Sequence, residues 1–231
     1  MNHARALVLV AEIVLLCLCP TRDLDSRWED AGLICHRRGF VFLHIPKTAG
    51  TSVRRALGGF LEPLRLSWLG DGYKHMTARH VAERYGNRIF ERYFTFCFVR
   101  NPWERMVSFY TYHRQGNGSA LAQSTIRYCR SHAFTEFVEQ YINRDLWQGP
   151  QLDWITLDDG TLAVDFVGRM ERLQQDWQVV CERVGLPAVE LPRRNGSRHG
   201  SYTSYYDART RALVERAHAR DIEAFGYRFG D

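Results

Sequence analysis

Residues 40–58 constrain the fold of this chain more than any other stretch. They begin with a near-continuous apolar run at residues 40–45, which is typical of a strand buried on both faces of a sheet. A short loop with Pro, Gly and hydroxyl side chains follows at residues 46–52, and a helical pattern begins at about Thr51. This order predicts a strand, a tight loop and a helix. The loop N–H groups would then lie at the positive end of the helix, where they can bind an anionic group.

The lysine in this loop is unusual for this chain. Of 31 basic residues, 29 are arginine and only Lys47 and Lys74 are lysine. A compact ammonium group can reach a transferring group that a planar guanidinium would crowd. The loop is not an ordinary Walker A motif, because G-x-x-x-x-G-K-[ST] is absent and Lys47 precedes Gly50.

A second strand and helix carry a further basic site. Residues 93–99 are aromatic and branched, which predicts a strand, and Pro102 suits the first position of the next helix. Arg100 follows the strand at its carboxyl end, where α/β sheets bind ligands, and Ser108 lies on the helix. A lone arginine at a strand end is more often a salt-bridge partner. Taken together with the first loop, however, the pattern predicts a second phosphate site.

The alternation of strands and helices indicates the fold class. A third short strand is predicted at 162–168, and further helices at about 133–143, 171–184 and 207–224. Strands separated by helices imply a parallel sheet with right-handed crossovers. We therefore expect an α/β protein with a P-loop-like, three-layer α/β/α architecture around a central parallel sheet.

Residues 1–38 are predicted to be a leader outside a folded domain at 39–231. The apolar run at residues 6–19 is shorter than the about 20 residues of a membrane span. The run is typical of a short apolar helix, a signal peptide or a membrane anchor. The six cysteines form no C-x-x-C pair and no metal spacing with His, and Cys97 and Cys181 fit small core positions. A cytoplasmic protein is therefore favoured, with membrane anchoring through residues 6–19 as the alternative.

The charge of the chain favours an anionic partner. The net charge is +5, which suits a nucleotide, a polyanionic glycan, a nucleic acid or a membrane surface. The basic residues are scattered and form no block of five or more, which argues against a nucleic-acid-binding tail.

In this order and spacing, the two motifs resemble those of sulfotransferases that use 3′-phosphoadenosine 5′-phosphosulfate (PAPS). The stretch FLHIPKTAGTS at residues 42–52 resembles that family's 5′-phosphosulfate loop. The stretch FVRNPWERMVS at residues 98–108 resembles its 3′-phosphate motif. The similarity covers about residues 40–229. It is greatest to the carbohydrate branch, which includes uronyl and heparan sulfate 2-O-sulfotransferases and small bacterial relatives.

The resemblance implies transfer of a sulfuryl group from PAPS to a hydroxyl acceptor, with a glycan favoured, and release of 3′,5′-ADP without a metal. Lys47 would neutralise charge on the transferred group and the leaving phosphate. His75 is the candidate general base, since histidine has a reference pKa near 6.5. The implied donor-binding residues are Pro46, Lys47, Thr48, Ala49, Gly50, Thr51, Ser52, Arg100, Ser108 and Ser197.

Two other functions are alternatives to sulfuryl transfer. A P-loop nucleotide kinase conflicts with the absent G-K-[ST] and the absent Mg²⁺-binding acidic pattern. A non-catalytic polyanion-binding protein on the same fold would be indicated by loss of Lys47 or Arg100, and both are present. Among the other notable side chains, His44 is predicted to orient the loop or pack at the strand end. His113 is predicted to lie at the surface and Trp147 in the core.

Overall fold

The computed structural model describes residues 33–58, 75–119, 122–142, 144, 147–187, 190–191 and 200–231. Its central sheet has four strands in the order β1 (Ile34–Cys35), β2 (Phe40–Leu43), β3 (Phe94–Val99) and β4 (Phe166–Arg169). Strands β2, β3 and β4 are parallel, as expected, whereas β1 pairs antiparallel with β2. The sheet is therefore mixed, with a parallel centre and one antiparallel edge strand.

The helices of the described residues follow the strands in alternation. They are α1 (Gly50–Leu57), α2 (Ala78–Tyr85), α3 (Arg88–Arg92), α4 (Pro102–Arg114), α5 (Gln123–Ser131), α6 (Phe134–Tyr141), α7 (Leu152–Ile155), α8 (Leu173–Val184), α9 (Ala208–Ala217) and α10 (Ala219–Phe225). The predicted helix at 207–224 is thus two helices, α9 and α10, with His218 between them. Helix α5 was not predicted, because its segment is polar at its start.

Both faces of the sheet are apolar, because β2 and β3 alternate between two hydrophobic clusters. Val41 and Leu43 pack in one cluster, with side chains of α2, α7 and α10. Phe40 and Phe42 pack in the other, with side chains of α1 and α8. Helices cover the sheet on its two faces, and this arrangement confirms the three-layer α/β/α prediction.

Strand β1 lies upstream of the predicted start of the domain. Leu33, Ile34 and Cys35 are buried, and the N–H of Phe42 donates to the carbonyl of Leu33 over 2.7 Å. The boundary predicted between residues 38 and 39 therefore falls inside the β1–β2 hairpin. This strand was assigned to the leader because only a few apolar residues contribute to it.

Helix α4 is buried along most of its length, and this fixes the side chains that it carries. It begins as predicted, with Pro102 in its first turn and the Asn101 carboxamide accepting from the N–H of Trp103. A third hydrophobic cluster packs Trp103, Met106 and Tyr110 against α6 and α9. The helix thus presents a fixed face to the loop that joins β2 to α1.

Cys97 and Cys181 are fully buried, which confirms their prediction as small core residues. None of the helices in the described ranges has the length and apolarity needed to cross a membrane. The apolar run at residues 6–19 lies outside those ranges.

Candidate active site

The loop between β2 and α1 has a strained backbone. Lys47 and Ala49 adopt left-handed conformations, with φ angles of 69° and 65°, although neither is glycine. Each such conformation costs on the order of 1 kcal/mol or more and persists only where the surroundings enforce it. Strain of this kind is concentrated at binding and catalytic sites, so the loop is a candidate site on geometric grounds.

The N–H groups of this loop are available to a ligand. The carbonyl of Ala49 accepts from the N–H groups of Ser52 and Val53 at 2.9 and 3.2 Å, which starts the helix. The Thr48 hydroxyl donates to the carbonyl of Ile45 over 2.9 Å and closes the turn. Within the described residues, the N–H groups of residues 47–51 make no hydrogen bond. Consecutive unpaired N–H groups at a helix N-terminus form an anion-binding cradle.

Gly50 is required by a close contact with His44. A Cβ atom at residue 50 would lie 1.8 Å from both Cδ2 and Nε2 of the buried His44 ring. The same ring stacks on Phe42, with centroids 5.7 Å apart. His44 therefore packs at the strand end and supports the loop, which is the role predicted for it.

Arg105 anchors the loop from α4 and was missed by the sequence analysis. Its side chain is buried, and Nε donates to the carbonyl of Pro46 over 3.0 Å. The two terminal nitrogens donate to the carbonyls of Gly149 and Trp147 at 2.9 and 2.7 Å. Burial lowers the pKa of Arg105 to about 10, so the group stays charged at neutral pH. One guanidinium thus ties the loop to residues 147–149.

Arg100 lies at the end of β3 beside the loop, as predicted. Its terminal nitrogens reach the carbonyl of Lys47 at 3.5 Å and the carboxylate of Glu104 at 2.9 Å. Its backbone exchanges two hydrogen bonds with the buried carboxamide of Gln151, at 2.9 and 2.8 Å. Arg100 Nε is buried and has no hydrogen-bond partner among the described residues. An orphaned donor on a buried cation is a suitable contact for an anionic ligand.

One face of α4 lies against the loop between β2 and α1. Arg105, Ser108 and Tyr112 are spaced i, i+3 and i+7, so they share this face. Arg105 contacts Pro46, and the ring of Tyr112 lies under Lys47, with Nζ 3.7 Å from the ring centroid. Ser108 is buried on the same helix. Arg100 contacts the Lys47 carbonyl, and Ser108 shares the helix face that carries the two contacts with the loop.

Burial and a neighbouring cation depress the pKa of the loop lysine. Burial, followed by the charge of Arg100, lowers the pKa of Lys47 to about 7. The pKa of His113 is also lowered, mainly by burial and to a smaller extent by the charge of Lys47. His113 is 7% exposed and stacks on Phe109, so its predicted surface position is wrong. An electropositive site that disfavours its own charges is well suited to bind a polyanion.

His75 is oriented by the backbone of the same loop. Its Nδ1 lies 3.1 Å from the carbonyl oxygen of His44, and the two rings are 4.2 Å apart. A carbonyl oxygen only accepts, so Nδ1 carries the proton and Nε2 is the acceptor of the neutral ring. His75 therefore has the tautomer that a general base using Nε2 requires.

Trp147 lies beside His75 rather than in the core. Its ring centroid is 4.7 Å from that of His75 and 6.0 Å from that of Trp154. Trp147 is 39% exposed, so its predicted core position is wrong, whereas Trp154 and Trp177 are buried. Arg105 holds the backbone of Trp147, because one of its terminal nitrogens donates to the Trp147 carbonyl.

The remaining predicted residues differ in how far they can be placed. Pro46, Thr48 and Ser52 are buried in the loop, whereas Thr51 is exposed on the first turn of α1. Ser197 lies outside the described residues and remains a prediction.

Comparisons with known proteins identify the family. The family described as "Sulfotransferase family" matches residues 31–228. An uncharacterised protein of Archaeoglobus fulgidus is 32% identical over 127 residues, which are 55% of this chain and 97% of that protein. Carbohydrate sulfotransferase 14 of Danio rerio is 25% identical over 187 residues, covering 70% of this chain. The matched region spans only 50% of that relative's length.

One solved structure was matched over most of its length. It is the mouse sulfotransferase SULT7A1 complexed with PAP, with a TM-score of 0.49, 11% identity and 91% coverage of both chains. The family match at residues 31–228 covers the loop, Arg100, α4 and His75. This protein belongs to the sulfotransferase family.

Proposed function

We propose that this protein transfers a sulfuryl group from PAPS to a carbohydrate hydroxyl and releases 3′,5′-ADP. The observation that carries this proposal is the cradle of unpaired N–H groups at residues 47–51, with Lys47 and Arg100 beside it. The family match favours sulfuryl transfer over the phosphoryl transfer of a nucleotide kinase. No metal is part of the proposed reaction.

The donor would be held at its two ends by different elements. Residues 46–52 bind the 5′-phosphosulfate through backbone N–H groups and Lys47. Arg100 and Ser108 bind the 3′-phosphate, and Nε of Arg100 supplies a buried donor that the described residues leave without an acceptor. Ser197 is proposed as a further contact to the nucleotide.

The transfer step needs a base on one side and positive charge on the other. Nε2 of His75 accepts the proton of the attacking hydroxyl as its oxygen bonds to sulfur. The bond between sulfur and the bridging phosphate oxygen breaks, and the leaving 3′,5′-ADP keeps the electron pair. Lys47 stabilises the charge that develops on this oxygen, which is where a fixed cation contributes most.

The acceptor class is proposed from the surroundings of His75. Trp147 offers an exposed aromatic face beside the candidate base, and aromatic faces pack against the apolar faces of sugar rings. One of the relatives is named a carbohydrate sulfotransferase. We therefore propose a glycan acceptor, and the narrower uronyl or heparan sulfate 2-O-sulfotransferase branch remains a prediction from the two motifs.

The direct test is transfer of labelled sulfate from PAPS to a panel of glycans. Wild-type protein should label at least one acceptor with EDTA present. Lys47→Ala should lower turnover by roughly a hundredfold or more. His75→Ala should lower turnover by roughly 10²–10⁴-fold while leaving the affinity for 3′,5′-ADP unchanged.

A matched histidine variant controls for nonspecific damage. His132 stacks on Tyr128 with centroids 3.9 Å apart, in a different part of the molecule, so His132→Ala should retain wild-type turnover. Normal turnover by His75→Ala would assign the base elsewhere, with His44 next. Loss of 3′,5′-ADP binding in the same variant would instead place His75 in the donor site.

A further inference from the structure

The ammonium of Lys47 rests on an aromatic ring. Its Nζ lies 3.7 Å from the ring centroid of Tyr112, inside the range of a cation–π contact. Tyr112 is half-buried on α4, and its ring packs edge-to-face with that of the buried His113, with centroids 5.3 Å apart. The left-handed backbone of Lys47 fixes the other partner. Both sides of the contact are therefore held by the fold.

The charged groups around Lys47 make this ring its main favourable contact. Arg100 repels the ammonium, and Glu104, the carboxylate of α4 nearest in sequence to Arg100, is paired with Arg100. His113 is buried, and its Nδ1 donates to the carbonyl of Phe109. Among the residues that the structure describes, no carboxylate forms a salt bridge with Lys47. The negative face of the Tyr112 ring is thus what favours the ammonium form.

We propose that Tyr112 is a positioning residue that holds the Lys47 ammonium, in its charged form, over the anion cradle. This inference rests on the proposed function only for the role of Lys47 once donor is bound. The contact itself belongs to the nucleotide-free protein. On donor binding, the phosphosulfate replaces the ring as the counter-charge, and Lys47 then needs only a short side-chain movement to reach it.

The near absence of lysine in this chain makes the contact directly measurable. Lysine labelled at Cε should give two side-chain NMR signals, one each from Lys47 and Lys74, and Lys74→Arg assigns them. The Lys47 Hε protons should be shifted upfield by the Tyr112 ring and show NOEs to it. These observations need no variant of Tyr112, so they test the contact even if a substitution impairs folding.

Two variants then separate the ring from the hydroxyl group. Tyr112→Phe keeps the aromatic face and should keep both the upfield shift and the pKa of Lys47. Tyr112→Leu removes the face and should abolish the shift, and it should lower the pKa of Lys47 further, by about half to one unit. In activity assays, kcat/KM for PAPS should fall for Tyr112→Leu more at pH 8 than at pH 6, with Tyr112→Phe close to wild type.

The outcomes distinguish this inference from the proposed function. Absence of the NOEs and of the upfield shift in wild-type protein would overturn the inference, as would a Tyr112→Phe variant that behaves like Tyr112→Leu. If 3′,5′-ADP binds and displaces the Lys47 signals without any prior ring contact, only the role of Tyr112 is wrong. If the ring contact is present but 3′,5′-ADP leaves the Lys47 signals unchanged, the contact stands and the proposed function fails.

Discussion

Replacement of Gly50 by alanine should destabilise the loop through one identifiable clash. The added Cβ would lie 1.8 Å from two atoms of the His44 ring, far inside van der Waals contact. The ring is confined, because it is buried, stacks on Phe42 and lies 4.2 Å from the ring of His75. Overpacking of a confined site costs about 1–3 kcal/mol, or a fall in Tm of roughly 3–10 °C for a chain of this size.

Two glycine variants serve as controls for Gly50→Ala. A Cβ at Gly200 meets none of the described residues within 4 Å, so Gly200→Ala should leave Tm unchanged. A Cβ at Gly168 would lie 2.5 Å from Phe98 in the sheet, so Gly168→Ala should also lower Tm. Only Gly50→Ala should in addition weaken 3′,5′-ADP binding, measured by calorimetry below both melting transitions, because only this clash deforms the anion cradle.

A double-mutant cycle with His44→Ala tests the cause of the effect. Once the ring is removed, Gly50→Ala should be neutral or stabilising by up to about 1 kcal/mol, since alanine is the better helix former at an ordinary φ. The two substitutions should therefore be strongly non-additive. If Gly50→Ala were harmless in the wild-type background, or equally harmful beside His44→Ala, the argument from the His44 contact would be refuted.

Three further predictions concern the loop and the domain boundary. Arg105→Met should lower the free energy of unfolding by about 3 kcal/mol or more, because three carbonyl groups lose their donor. Arg92→Met, at an exposed position, is the control and should leave the urea midpoint unchanged. An unchanged urea midpoint in Arg105→Met would contradict the prediction. kcat/KM for PAPS should fall as the pH rises through about 7, because Lys47 loses its charge there. If kcat/KM of Lys47→Arg fell equally steeply, Lys47 would be excluded as the titrating group. A chain starting at residue 31 should fold, whereas one starting at residue 39 lacks β1 and should have a lower Tm or aggregate. Equal Tm values for the two chains would support the domain start predicted at residue 39.

The centre of the fold could be predicted because its sequence signals are local. The uninterrupted apolar runs of β2 and β3 and the Pro102 start of α4 each specify their element without tertiary information. Strand β1 could not be predicted, because two residues carry no periodicity and an edge strand is defined by its partner. Helix α5 was missed for a similar reason, since only Ile126 and Cys129 of its residues are buried.

The candidate site could be proposed from the sequence where it depends on a motif, but not where it depends on packing. Lys47, Arg100 and Ser108 were predicted from their order along the chain, and the fold places the Arg100 guanidinium against the Lys47 carbonyl. Arg105 and Tyr112 were missed, because an arginine or a tyrosine on a helix has many structural roles and only the tertiary contact reveals this one.

The most direct test of the proposed function is a calorimetric titration of the protein with 3′,5′-ADP and with 5′-ADP, both with EDTA present. Both ligands carry two phosphates, but the second phosphate of 3′,5′-ADP is on the 3′ oxygen, the position assigned to Arg100 and Ser108, whereas that of 5′-ADP extends the 5′-phosphate. We expect 3′,5′-ADP to bind at least about tenfold more tightly, a difference of about 1.4 kcal/mol. Arg100→Ala should lose about 2–4 kcal/mol of 3′,5′-ADP binding and most of this preference. Equal affinity for the two nucleotides, or binding that requires Mg²⁺, would contradict the assignment of PAPS as the donor.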